Sequence, residues 1–147
     1  MKTSIDQYCI NVTDMARSLA FWETALGLTI THRVETEEFT EVVLAGEDGN
    51  RIQLAKHFDR EGPIEHGNGF WKLYLKTDDC QGLYDRCIAA GAESVSVPER
   101  LEHWPVTAAF VLDPDGYTVE ILEHHADAAA LSGPAAGEDR PKFGDVE

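Results

Sequence analysis

Gln7, Gln53, Lys72 and Glu120 are the residues of this 147-residue chain whose type and placement could do chemistry together. Each lies in an otherwise apolar or β-branched run, where a polar side chain without a partner is costly. The four must therefore face solvent or share a polar cavity. In such a cavity the Glu120 carboxylate could act as a general base or acid, and the Lys72 ammonium could hold negative charge developing on an oxygen. The amides of Gln7 and Gln53 could orient the same oxygens.

The elements that must position these residues are legible in the periodicity. Residues 8–12 form a short apolar run suited to a buried strand, and Thr13 or Asp14 can cap a helix over 15–26. Met15, Leu19, Trp22 and Leu26 recur on one helical face, and Gly27 supplies the stop. The period then changes to two over 28–32, 39–44 and 51–55, with a hairpin turn at 47–50. Residues 57–69 carry Gly62, Pro63, Gly67 and Gly69 among charges and read as a linker. A strand over 70–77 follows, then a helix capped by Asp79 and ended by Gly91, with Leu83, Tyr84, Cys87 and Ile88 on its core face. Strands over 93–97, 106–112 and 118–122 complete the order, with a turn at 113–116. Trp71, next to Lys72 in an extended run, is expected on the opposite face, packed under a helix.

The order βαβββ thus occurs twice, and the candidate residues repeat with it. Gln7 precedes Asp14 by seven residues as Lys72 precedes Asp79, and Gln53 follows Gly49 by four as Glu120 follows Gly116. One domain over 1–125 is expected, with modules at 5–57 and 69–124 and a linker at 58–68. From residue 126 onward Ala, Gly, Pro, Asp and Glu dominate, so 126–147 is expected to be a disordered acidic tail.

Composition bounds the partners. With 43% hydrophobic residues the chain suffices for one core and is too short for two independent ones. Twelve Lys and Arg against 27 Asp and Glu give a net charge of −15, which repels phosphate backbones and anionic headgroups. Nucleic acid and membrane are therefore excluded as expected partners. No run approaches the roughly 18–20 apolar residues of a membrane span, and residues 1–6 lack a signal-peptide apolar region, so a cytoplasmic location is expected. Cys9, Cys80 and Cys87 fit no zinc or redox spacing and are expected as buried thiols. His57, His66, His103, His124 and His125 show no ligand-pair spacing on one element. His103 with Trp104 lies in the long connection between two second-module strands, where a hydrogen-bond donor or base could meet a substrate.

Val12-Thr-Asp14, Ser18-Leu-Ala-Phe21-Trp22 and Leu26-Gly-Leu28, with Asp113-Pro-Asp-Gly-Tyr-Thr-Val-Glu-Ile121, resemble the vicinal oxygen chelate superfamily. This is the group of glyoxalases, bleomycin-resistance proteins and extradiol dioxygenases, and the resemblance covers about residues 5–124. It implies an α+β fold in which two βαβββ modules form a half-open barrel around one small-molecule site, commonly completed in a homodimer. The family's metal ligands, as a rule His or Gln, Glu or His, His, and Glu, fall at Gln7, Gln53, Lys72 and Glu120. Gln7 and Glu120 match this pattern, whereas Gln53 and Lys72 depart from it. A divalent zinc, nickel, iron or manganese ion would have to rest on Gln7, Gln53 and Glu120. Two amides, one carboxylate and a cation make a poor transition-metal site, so no cofactor is expected.

In the implied barrel Lys72 and Glu120 are neighbours, and at about 4 Å their attraction is about 4 kcal/mol before desolvation offsets it. Lys72 then either holds the carboxylate as a counter-charge or takes the metal's part towards a substrate oxygen. His103 and Trp104 would stand at the barrel rim, with Gln7 and Gln53 on the substrate. Asn11 stands where glutathione-dependent members often carry an arginine for the tripeptide carboxylate, a charge it does not supply. The implied function is an isomerase or lyase resembling glyoxalase I, acting next to a carbonyl or on vicinal oxygens with a degenerate metal site. The alternative is a metal-free drug- or metabolite-binding protein of the bleomycin-resistance kind. Ring-cleaving dioxygenase is a minor alternative, because ferrous iron wants two histidines and a carboxylate.

Overall fold

In the computed structural model, described for residues 1–125, the two halves of the chain build the same unit twice. The first consists of β1 (Gln7–Asn11), α1 (Met15–Leu19), β2 (Thr29–Glu35), β3 (Phe39–Ala45) and β4 (Arg51–His57). The second consists of β5 (Leu73–Thr77), α2 (Cys80–Ala89), β6 (Glu93–Arg100), β7 (Val106–Leu112) and β8 (Thr118–His124). Their sheets run β1-β4-β3-β2 and β5-β8-β7-β6, with the first pair of each parallel and the rest antiparallel. This is the α+β, doubled βαβββ architecture that the resemblance implied. The tail expected over 126–147 lies outside the described residues.

The duplication extends to caps and turns. Asp14 and Asp79 each accept a hydrogen bond from a backbone N–H three residues on, at 3.0 and 2.8 Å. Gly49 and Gly116 turn the chain into β4 and β8 at φ of +84° and +86°, which disfavours any residue with a Cβ. Both second strands carry a bulge, between Ile30 and His32 and between Ser94 and Ser96.

Two elements differ from the sequence reading. The single helix expected over 15–26 is α only through Leu19 and then widens into a π-helical segment, Ala20–Ala25. The Leu26 N–H reaches back to Phe21 O at 2.9 Å, and the wider turn lets Phe21, Trp22 and Ala25 all enter the core. The strand expected from 70 begins only at Leu73, because pairing to β8 starts at Leu73–Val119.

Each sheet lays one face on its helix, and the two helical layers merge into one core around Trp22, Leu44, Leu54, Val111, Val119 and Ile121. Polar ties join the modules through that core. Trp22 Nε1 donates to Asp113 Oδ2 at 3.1 Å, and the Tyr117 hydroxyl donates to the Asn11 carbonyl at 2.8 Å. Asp113 also accepts from the backbone N–H groups of Asp115 and Tyr117, yet burial still pushes its carboxyl above the usual range.

The cysteine expectation holds for two of three. Cys80 and Cys87 are buried against the β8 sheet, and burial pushes both thiols up to about 11. Cys9 is exposed instead, because it alternates with core-facing Ile10 and so lies on the open face of its sheet. At pH 8 a thiol of pKa about 11 is only about one part in a thousand thiolate. A disulfide reagent at that pH is expected to label Cys9 in the folded protein, and Cys80 and Cys87 only after denaturation. Three equivalents of fast labelling in the native state would contradict that placement.

Candidate functional site

The face of each sheet turned away from its helix carries two of the four candidate residues, held in the same geometry. Gln7 pairs in register with Arg51, so its side chain meets Gln53 diagonally, and its Nε2 donates to Gln53 Oε1 at 2.6 Å. Lys72 precedes the register pair Leu73–Val119 and meets Glu120 at the same diagonal offset, with Nζ 2.6 Å from Glu120 Oε2. The sequence pointed to Lys72 and Glu120 as neighbours and to the equivalence of the four positions, with all four facing solvent or one shared cavity; it did not pair Gln7 with Gln53. The structure joins Gln7 to Gln53 in the first sheet and Lys72 to Glu120 in the second.

The surroundings of the two pairs differ because their equivalent neighbours differ. Across the second sheet Tyr74, Glu120 and Phe110 stand in one row, and Trp71 precedes Lys72. The Lys72 ammonium lies 4.1 Å from the Trp71 ring centre, 4.8 Å from that of Tyr74 and 5.1 Å from that of Phe110. These rings leave the Lys72 and Glu120 side chains only 2% and 1% exposed. Trp71 was expected on the other face under a helix. It is 60% exposed and lies over the ammonium, because it precedes β5 and no ladder fixes its alternation.

In the first sheet the corresponding row is Cys9, Gln53 and Val43, with small side chains where the second has rings. A cavity of about 280 Å³ opens there, lined by the two glutamines with His32, Glu41, Val43 and Arg51. Arg51 is held by a salt bridge to Asp6. Sequence reasoning missed His32 and Glu41. Extending the period-two pattern of β3 back from Val43 would have placed Glu41 beside it, whereas the bulge at Ile30/His32 breaks the alternation that would have located His32.

Apart from His32, the histidines among the described residues lie elsewhere. His103 is 65% exposed with Nε2 4.0 Å from Glu102 Oε2, and Trp104 is half-buried beside it in the connection between β6 and β7; neither lines the first-sheet cavity. His66 Nε2 donates to the Asp115 carbonyl at 2.8 Å, and His125 Nε2 lies 2.8 Å from Thr107 Oγ1. Among the described residues no three His, Cys, Asp or Glu side chains gather as a metal site.

The four candidate positions do not fit a divalent metal either. The Gln53 amide oxygen is engaged by Gln7, and the single carboxylate already carries an ammonium at 2.6 Å. A cation entering beside Nζ would face repulsion with no uncommitted anionic ligand to offset it.

The model of the Glyoxalase/Bleomycin resistance protein/Dioxygenase superfamily matches residues 4–121. The chain belongs to this superfamily. Among its relatives, it is 29% identical over 119 residues to a protein of Synechocystis named probable lactoylglutathione lyase, covering 78% of this chain and 90% of that one. Its fold is similar to maize glyoxalase I at a TM-score of 0.74 and 19% identity, covering 81% of this chain. The chain spans 44% of that maize chain. It is similar also to the trypanothione-dependent glyoxalase I of Leishmania major, with a TM-score of 0.73, 20% identity and coverage of 89% and 94%. No helix among the described residues is long and apolar enough to cross a membrane.

Proposed function

We propose that this protein is a small-molecule isomerase or lyase of the glyoxalase I kind that moves a proton next to a substrate carbonyl without a bound metal. The observation that carries the reading is the ion pair of Lys72 and Glu120, 2.6 Å apart and walled by rings at the family's ligand positions. Glu120 takes the proton from the carbon beside the carbonyl, and the Lys72 ammonium holds the oxygen as the enolate forms. Glu120 then delivers a proton, exchanged with solvent while the carboxyl holds it, to the neighbouring carbon as the hydroxyl proton passes to the former carbonyl oxygen, so the step is redox-neutral within the substrate. Gln7 and Gln53 present amide donors to the second oxygen. Entry requires the exposed Trp71 ring to swing off the ammonium. A homodimer that sets the amide pair of one copy against the ion pair of another would unite all four residues and cover Trp71, Tyr74 and Val97, which are 60%, 56% and 56% exposed.

The relatives named lactoylglutathione lyase support a hemithioacetal as the first substrate to try. Asn11 argues for testing other thiols beside glutathione, since its side chain carries no charge. The test is a panel of hemithioacetals and 2-hydroxycarbonyls incubated in D₂O with chelator-dialysed protein. Deuterium entering the carbon beside the carbonyl for at least one compound is the expected result. No exchange across the panel would contradict it.

A second reading is a metal-free binder of drugs or apolar metabolites. It is favoured by the mutual neutralisation of the buried pair beside exposed aromatic rings. Under that reading panel compounds raise the melting temperature without exchange.

A further inference from the structure

We infer that the ring-walled site of Glu120 on the second sheet is a seat built for one primary alkylammonium ion, and that Lys72 occupies it from within the chain. A carboxylate 1% exposed supplies the charge at 2.6 Å, and three rings with centres 4.1 to 5.1 Å from Nζ supply their negative faces. Carboxylate and aromatic walls together are the chemistry that recognises organic cations, whereas a divalent metal needs several oxygen or nitrogen ligands instead of ring faces. The duplicated fold supplies an internal control. The equivalent positions in the first sheet hold Gln53, Cys9 and Val43, and the residue there equivalent to Lys72 is the neutral Gln7. At these equivalent positions a buried carboxylate, a lysine and aromatic rings stand together in the second module only.

The seat does not depend on turnover, because its test reads stability. Lys72→Ala removes three methylenes and the ammonium, the shape of n-propylammonium. Thermal melting of the full-length variant is expected to rise by about 3 °C or more with n-propylammonium in the millimolar range, saturably. Wild type, whose seat is filled, and the Lys72→Ala/Glu120→Gln variant are expected not to respond. The neutral isostere 1-propanol is expected to have no such effect on Lys72→Ala. An equal response in wild type or in the double variant, or no response in Lys72→Ala, would overturn the inference. So would a Glu120-dependent rise with zinc or nickel that exceeds the one with propylammonium, since the seat would then be a metal site. Should Lys72→Ala not fold alone, its refolding yield with each additive is read in place of melting, with the same expectations.

Discussion

Lys72→Met is expected to lower turnover of any responsive substrate by about 10²–10⁴-fold while the doubled fold persists. Methionine keeps most of the buried chain length and removes only the charge. What is lost is the group that stabilises the oxygen during enolisation, together with the counter-charge of Glu120. Glu120→Gln is expected to lose activity to a similar degree through the missing base. Lys72→Met also leaves a carboxylate buried without its ammonium, which costs about 3–5 kcal/mol of stability. The Lys72→Met/Glu120→Gln variant, with no buried charge, is expected to recover much of that stability and none of the activity. Turnover at the wild-type rate in Lys72→Met would remove the ion pair from the mechanism.

The largest purely structural effect is expected at Trp22. It is fully buried, packs edge-to-face on Phe21 with ring centres 5.3 Å apart, and ties the first module to Asp113 of the second. Trp22→Ala is expected to cost about 3–5 kcal/mol in urea unfolding through the cavity it leaves. Trp22→Phe, which keeps most of the ring and loses only the donor, is expected to cost about 1–3 kcal/mol.

The pH dependence separates the two contributions. Burial holds the Asp113 carboxyl above its reference value of 3.8, so between that value and the folded pKa the native state binds more protons than the unfolded one. Stability from this group therefore falls as pH rises through that window. Removing the Trp22 donor withdraws support from the charged form. The deficit of Trp22→Phe is accordingly expected to be larger at neutral than at acidic pH. A deficit independent of pH would show that the Trp22 bond to Asp113 does not stabilise the carboxylate.

Much of this was legible because duplication leaves marks at residues that have little choice. Asp14 and Asp79 cap helices, Gly49 and Gly116 adopt positive φ, and the spacing from those marks located Gln7, Gln53, Lys72 and Glu120 as equivalent pairs. What escaped lies where the strand period fails. Trp71 stands before the first ladder pair of β5, His32 follows a bulge, and the π-helical segment turned Phe21 inward beside Trp22. The aromatic walls around Lys72 also went unread. They depend on the cross-strand register that aligns Tyr74, Glu120 and Phe110, which no single strand reveals.

The central claim is that the Lys72 ammonium does the work of a metal ion in this fold. It is tested most directly by measuring metal content, melting temperature with and without EDTA, and deuterium exchange on one preparation made without chelator or affinity metal. The account predicts less than about a tenth of an equivalent of transition metal, a melting temperature indifferent to EDTA, and exchange that EDTA does not slow. About one equivalent of zinc, nickel, iron or manganese, with melting temperature and exchange both lowered by EDTA, would contradict it.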